Sequence, residues 1–428
     1  MEEEKEQKIK EKLIYYSREI KRDVGNLAKW LFLAAVVGCV TGAASTLFSF
    51  ALKGVTAYRK ANEWIFLLLP VMGLIIVFLY EKIGKEDGGT NQVLSTVRSQ
   101  DDVPLLSAPL IFISTALTHL AGGSAGREGA AIQLGGSIAN QLGRWIHLDE
   151  EDRHVIVMCG MSAAFSALFG TPMAAAVFAL EVVSVGVMYY TALMPCMIAS
   201  LIASQFAAGM GVTPESFHVV DIPALSLETG LKMVIVAVGC AVVSIIFCMV
   251  LNVVAGLYAK WLKNPYVRVV VGACLVIAVT LLLRTDEYMG SGAELIAKAV
   301  ETGQANTLAF LWKIILTALT MRAGFRGGEI VPSFCVGATF GCVMGNLLGL
   351  SPSICAACGM AAVFCGVTNC PITSILIAFE MFGFRGVSFY LIAVSISYAA
   401  SGYYGLYKDQ TIVYSKYKAK YVNRRTRF

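Results

Sequence analysis

Charge is scarce in this chain. Of 428 residues only 15% are Asp, Glu, Lys or Arg, 57% are hydrophobic, and the mean hydropathy is +0.68, whereas soluble domains carry roughly 25% charged residues. The shortage excludes an ordinary soluble enzyme and gives no surface for nucleic acid. A cleavable leader is also missing: Glu2 to Lys12 holds nine charges and no apolar core, so residues 1–28 read as a charged, amphipathic cytoplasmic segment. Twelve cysteines are present, but without the paired spacing that a metal site needs. Even Cys355-Ala-Ala-Cys358 has no partner pair, and the cysteines read as small buried hydrophobes, with no metal or cofactor expected.

What the chain does have is apolar segments, at about 29–55, 63–82, 105–121, 129–146, 155–183, 187–208, 229–258, 268–284, 308–321, 330–350, 354–379 and 387–405. The expected class is a multi-pass protein of the cell membrane. Several segments fall short of the roughly 20 residues that a full span requires. Short, glycine-interrupted segments point to helices that stop partway through the bilayer, as in transporters that bind ions near its midplane. Lys21, Arg22 and Lys29 flank the first apolar segment, and the tail from Lys416 to Phe428 is basic with no acid. The positive-inside rule then places both termini in the cytoplasm. That tail reads as solvated, and the stretch after residue 408 is too short for a soluble regulatory domain.

The two halves resemble each other. Cys159-Gly-Met-Ser-Ala-Ala-Phe165 returns as Cys358-Gly-Met-Ala-Ala-Val-Phe364, and Pro172 and Glu181 return as Pro371 and Glu380, at a constant offset of 199 residues. Thr115-Ala-Leu-Thr118 and Thr317-Ala-Leu-Thr320 precede both copies. Duplicated halves with a site between them are a common construction of transporters. The expected organisation is a first repeat over 29–210, a connection over 211–228, a second repeat over 229–407 and a C-terminal segment over 408–428. Glu181 and Glu380 recur, and both read as structural carboxylates near helix ends.

Gly126-Arg127-Glu128-Gly129 is the unusual motif. The same offset pairs Arg127 with Arg326 and Gly129 with Gly328, but Glu128 with Gly327; the acid belongs to one half only. Ionisable residues within membranes are expensive and mark pathways. Glycines here permit sharp bends ahead of helices whose first amides attract anions, and Gly327-Gly328-Glu329-Ile330-Val331-Pro332 repeats the arrangement. Two such starts facing each other make an uncharged anion cradle, one that holds a halide without the grip of a buried lysine.

These motifs resemble the CLC family of chloride channels and anion/proton exchangers. The resemblance rests on 126–129, Gln133-Leu134-Gly135-Gly136, Phe169 to Glu181 and Gly-Gly-x-x-x-Pro at 327–332, and covers residues 30–415. It implies an all-α fold of two inverted repeats of tilted and partial transmembrane helices, and a homodimer with one pathway per subunit. It makes Glu128 the gate: ionised, it occupies an anion site, and protonated, it swings out. It places the anion against Gly129, the amides of Glu329 and Ile330, and a C-terminal tyrosine, assigned to Tyr414. Asp87-Gly-Gly-Thr-Asn-Gln-Val93 replaces the usual Gly-Ser-Gly-Ile-Pro, and Val182 stands where chloride/proton exchangers carry an inner glutamate. These changes, with Gly-Gly-Glu at 327–329, resemble the bacterial fluoride/proton-exchanging branch, although Ala130 stands where that branch often has threonine. Asn91 is then a donor to the ion or a helix cap, and Thr320 a hydroxyl on the path of Glu128 or one bonded to its own helix. The implied substrates are halide and protons, with a chloride channel or transporter as the alternative. Gly122-Gly-Ser-Ala-Gly126 also spells a serine-hydrolase elbow with His119 nearby, an intramembrane hydrolase being a remote alternative.

Overall fold

A computed structural model describes residues 2–84, 89–98, 103–418 and 420–427. Asp87 and Gly88 of the stretch 87–93 lie outside the described residues. The first half runs α1 (Glu2–Ala61), α2 (Leu69–Lys82), α3 (Thr90–Thr96), α4 (Ser107–Leu120), α5 (Glu128–Trp145), α6 (Glu150–Phe169), α7 (Pro172–Glu181) and α8 (Leu193–Gly209). The second repeats the order with α9 (Leu227–Trp261), α10 (Pro265–Leu283), α11 (Ala293–Thr302), α12 (Ala309–Ala323), α13 (Ile330–Leu348), α14 (Pro352–Thr368), α15 (Pro371–Phe382) and α16 (Val387–Ala400). Among the described residues six helical stretches are long and apolar enough to cross a bilayer, and five more are apolar but shorter. The chain is a polytopic, all-α membrane protein.

Prolines set two of the breaks. The apolar runs 155–183 and 354–379 each divide into two helices, because Pro172 and Pro371 take the first position of a new helix, where a missing N–H costs nothing. Just before them Gly170 (φ 71°) and Asn369 (φ 59°) end α6 and α14 in the left-handed conformation. The second helices are tied reciprocally. Glu181, at the end of α7, accepts from the amides of Ile372 (3.1 Å) and Thr373 (2.9 Å) at the start of α15. Glu380, near the end of α15, accepts from Met173 and Ala174 at the start of α7, both at 2.9 Å. Each carboxylate neutralises the positive end of the other helix, which requires the pair to run antiparallel.

Packing follows the same duplication: α6 lies between α5 and α8, and α14 between α13 and α16. Gly135 and Gly160 bring α5 and α6 so close that a Cβ on either would stand 2.2 Å from the other's carbonyl oxygen; Gly337 and Gly359 do the same at 2.3 Å for α13 and α14. In lipid, helices associate through such close contact.

Three features depart from the sequence reading. Residues 2–28 are not a separate segment, because α1 continues unbroken to Ala61. The connection 211–226 straps the halves together: Glu215 N donates to Phe169 O and Phe217 N to Met381 O, each at 2.9 Å. The C-terminal tail is not simply solvated. β2 (Thr411–Tyr414) pairs in parallel with β1 (Ser184–Val185) and antiparallel with β3 (Tyr421–Arg425), and the Lys416 ammonium donates to Tyr398 O (3.1 Å), capping the end of α16.

Candidate functional site

The segment between α4 and α5 turns at Gly122 (φ 76°) and then runs extended through the protein interior. Buried backbone must find partners, and here four successive amides find them on four parts of the chain. Gly123 N donates to Thr118 O (2.9 Å), Ser124 N to Thr320 Oγ1 (3.2 Å), Ala125 N to Gly290 O (3.1 Å) and Gly126 N to Gly328 O (2.7 Å). Gly328 N returns a bond to Gly126 O at 2.9 Å. The two glycine motifs thus meet as a one-pair antiparallel bridge.

Glu128 is the first residue of α5 and has no solvent exposure. Its Oε1 accepts from Arg127 N at 2.9 Å, and its Oε2 from Val331 N, in the first turn of α13, at 3.2 Å. A Cβ on Gly126 would stand 2.2 Å from Oε2 and one on Gly328 2.8 Å from it. Those two glycines are therefore the space that the carboxylate fills. A third helix start joins them, since Thr90 Oγ1, on the first residue of α3, donates to Gly129 O at 3.2 Å. The N-termini of α3, α5 and α13 converge, and the Glu128 carboxylate takes the place that an anion would take among them.

The other expected residues fall into two groups. Gly129 lies in the junction, where a Cβ would be 3.1 Å from Gly327 O, and Ile330, the first residue of α13, is buried. Glu329 is the N-cap of α13, but its carboxylate turns away to pair with Arg322 at 3.2 Å. Asn91 does not cap α3, whose N-cap is Gly89; its buried Oδ1 makes no hydrogen bond among the described residues. Thr320 bonds the Leu316 carbonyl of its own helix (2.8 Å) and receives Ser124 N, so it holds the loop rather than Glu128.

Tyr414 is misassigned by the sequence reading. It stands on β2, 48% exposed, with its ring against Tyr421. Strand alternation turns its side chain outward. The buried tyrosine is Tyr407, 4% exposed and within electrostatic reach of both Glu128 and Glu329. The hydrolase reading also fails. Gly122–Gly126 has no strand before it, Ser124 Oγ pairs with Thr317 Oγ1 (3.1 Å), and His119 Nε2 lies 3.3 Å from Gly126 O.

The duplicated arginines open on different cavities. Arg127 pairs with Glu215 of the connecting loop and lines a cavity of about 320 Å³ with Lys53, Lys60 and His119. Arg326, its guanidinium 3.8 Å over the Tyr80 ring, lines one of about 590 Å³ with Arg268 at the start of α10. Lys60 also lines a third cavity with Arg284, at the far end of α10 from Arg268. Sequence reasoning missed Lys313, a fully buried cation behind the loop; a lone lysine in the apolar run 308–321 was the available signal.

The sequence profile of the voltage-gated chloride channel family matches residues 72–402. The chain belongs to the CLC family. Among CLC proteins it is 35% identical over 399 residues to a chloride/fluoride channel protein of Pseudomonas syringae pv. tomato, covering 91% of this chain and 88% of that one. It is 25% identical over 393 residues to an H(+)/Cl(-) exchange transporter of Vibrio cholerae, covering 82% and 81%. The crystal structure of a CLC-type fluoride/proton antiporter superposes with a TM-score of 0.86 at 34% identity, covering 90% of this chain and 98% of that chain.

Proposed function

We propose that this CLC protein moves halide across the membrane through a pathway gated by Glu128, and that its physiological work is proton-coupled fluoride export. The observation that carries the gate is the carboxylate itself, held by backbone amides in a glycine-lined junction of helix starts. Its hydrogen-bond partners among the described residues are backbone amide donors, which suits an anion and not a carboxylic acid. Protonation removes its claim on those amides and frees the junction for a halide, so one proton moves against one vacancy. Val182, fully buried, stands where a second carboxylate would relay protons, leaving coupling to Glu128. Hydrogen fluoride is a weak acid, so fluoride and proton interact at such a gate as chloride and proton hardly do. The Asn91 side chain, in the first turn of α3, offers N–H donors to a small, strongly hydrated ion, and Tyr407, in place of Tyr414, supplies the tyrosine. Likeness to a fluoride/proton antiporter supports this choice; likeness to a chloride/fluoride channel protein keeps chloride conduction as the second reading. We further propose a homodimer through α8 and α16, with both termini cytoplasmic.

Fluoride and chloride efflux from proteoliposomes, recorded together with pH, tests the reading. Fluoride is expected to leave faster than chloride and to draw protons in, and Glu128→Gln is expected to abolish proton uptake. Undiminished coupled uptake in that variant would overturn the gate; chloride flux equal to fluoride flux without proton movement would favour the channel.

A further inference from the structure

The cradle is uncharged at its surface but not behind it. Lys313 lies in the second turn of α12, fully buried, and its Nζ donates to Gly290 O at 2.7 Å and Tyr288 O at 3.0 Å. Among the described residues no carboxylate forms an ion pair with it. Cys335, Arg59, His119 and Glu128 are titratable groups within its electrostatic reach, and Glu128 is the carboxylate among them. A buried charge without a partner is costly to keep. Its other connection leads to the same place. Gly290 O, which accepts from Lys313, also accepts from Ala125 N at 3.1 Å, and Gly290 N donates to Gly123 O at 3.1 Å. One residue beyond Ala125 is Gly126, half of the bridge that holds the Glu128 carboxylate. The turn is built to admit the lysine: Gly292 adopts φ 87°, and a Cβ there would stand 3.1 Å from Lys313 Cε.

We infer that Lys313 is a positioning residue that supplies the fixed positive charge for whichever anion fills the inter-repeat cradle, the Glu128 carboxylate or the transported halide, acting from behind the Gly290 turn. A cation at this remove attracts the occupant without touching it. The charge is undiluted by water and its pull is long-ranged in a low-dielectric interior, yet the anion's own contacts remain amides that release it readily. The inference rests on the gating role proposed for Glu128 and adds the source of the field in which that gate works.

Two variants separate charge from tether. Lys313→Met removes both the charge and the hydrogen bonds, while Lys313→Gln keeps a donor for the carbonyls and removes only the charge. Each is made in the parent and in Glu128→Gln, and the fluoride concentration giving half-maximal flux is measured in proteoliposomes after monodispersity is checked by gel filtration. Both variants are expected to raise that concentration by at least about threefold, the lower range of coupling within one network, in both backgrounds. Lys313→Gln matching the parent would overturn the inference, showing that the lysine only ties the loop; if Lys313→Met does not fold, the glutamine variant alone decides. Failure of the gate reading is seen separately, as coupled proton uptake surviving in Glu128→Gln alone.

Discussion

At the scale of single residues, the site depends on what glycine leaves empty. Gly126 and Gly328 are the volume of the Glu128 carboxylate, and Gly328 is confined further, a Cβ there meeting Gly129 N at 2.7 Å. The junction therefore has room for one anionic group and none for a methyl. The two tyrosines give a direct contrast at this scale. Tyr407 is buried beside the charged groups of the junction, whereas Tyr414 is half in solvent against Tyr421. Tyr407→Phe is expected to raise the half-saturating fluoride concentration roughly tenfold, the value of a hydrogen bond to a charged partner, and Tyr414→Phe to leave it unchanged. Concentration-dependent flux in proteoliposomes checks both. The sequence motif Thr411-Ile-Val-Tyr-Ser415 pointed to the wrong tyrosine because two tyrosines seven residues apart carry no local mark of which one is folded inward.

At the scale of elements, the reciprocal caps of α7 and α15 join the two repeats. Thr373 Oγ1 adds a third bond to Glu181, at 2.6 Å, so three donors of α15 hold this carboxylate as a cap. Glu181→Ala leaves two amides at a helix start without partners, and the expected loss is about 1–3 kcal/mol. Thermal unfolding in detergent reads that loss as a lower midpoint. The ratio of protons to fluoride is expected to stay as in the parent, since the carboxylate carries no proton along the path; a changed ratio would return Glu181 to the mechanism. The recurrence of Glu181 and Glu380 nine residues after a proline made their structural role readable from the sequence, because a ten-residue helix brings that position to its far end. That the far end of each helix meets the near end of the other was not readable, since it depends on how the repeats are turned about each other.

At the scale of the whole molecule, duplication makes two mouths, and substitution makes them unequal. Arg127 is neutralised by Glu215, while the guanidinium of Arg326 lies against an aromatic face; Glu128 faces Gly327 across the bridge. On the proposed reading, a duplicated scaffold with one acid has a single gate. The cytoplasmic placement proposed for both termini rests on charge, since Lys29 and the basic tail are of the kind retained on that side during insertion. Arg98 Nη1 donates to Asp409 O at 2.7 Å, holding the C-terminal segment against the first half. Protease-cleavable tags at the two ends are therefore both expected to be cut in inside-out vesicles and both spared in intact spheroplasts. Cleavage of one tag in each preparation would contradict the assigned orientation.

The sequence by itself determined the membrane class, nearly all of the helices, the duplication and the singularity of Glu128. These follow from hydropathy, from proline and glycine punctuation and from internal alignment, all of which are local or linear properties. The short helices α3 and α11 escaped because seven to ten residues with mixed polarity produce no clear hydropathy signal. Tertiary structure alone decided that Tyr407 is buried and Tyr414 exposed, that Glu329 turns to Arg322, that Thr320 and Ser124 serve the loop, and that Lys313 is buried behind it. Each of these is a contact between elements far apart in the chain, and burial, reach and the direction of a side chain exist only once those elements are packed. The anion junction is the clearest case. Its glycines and its acid are written in two short motifs, but the bridge that turns them into one site forms only where the two halves meet.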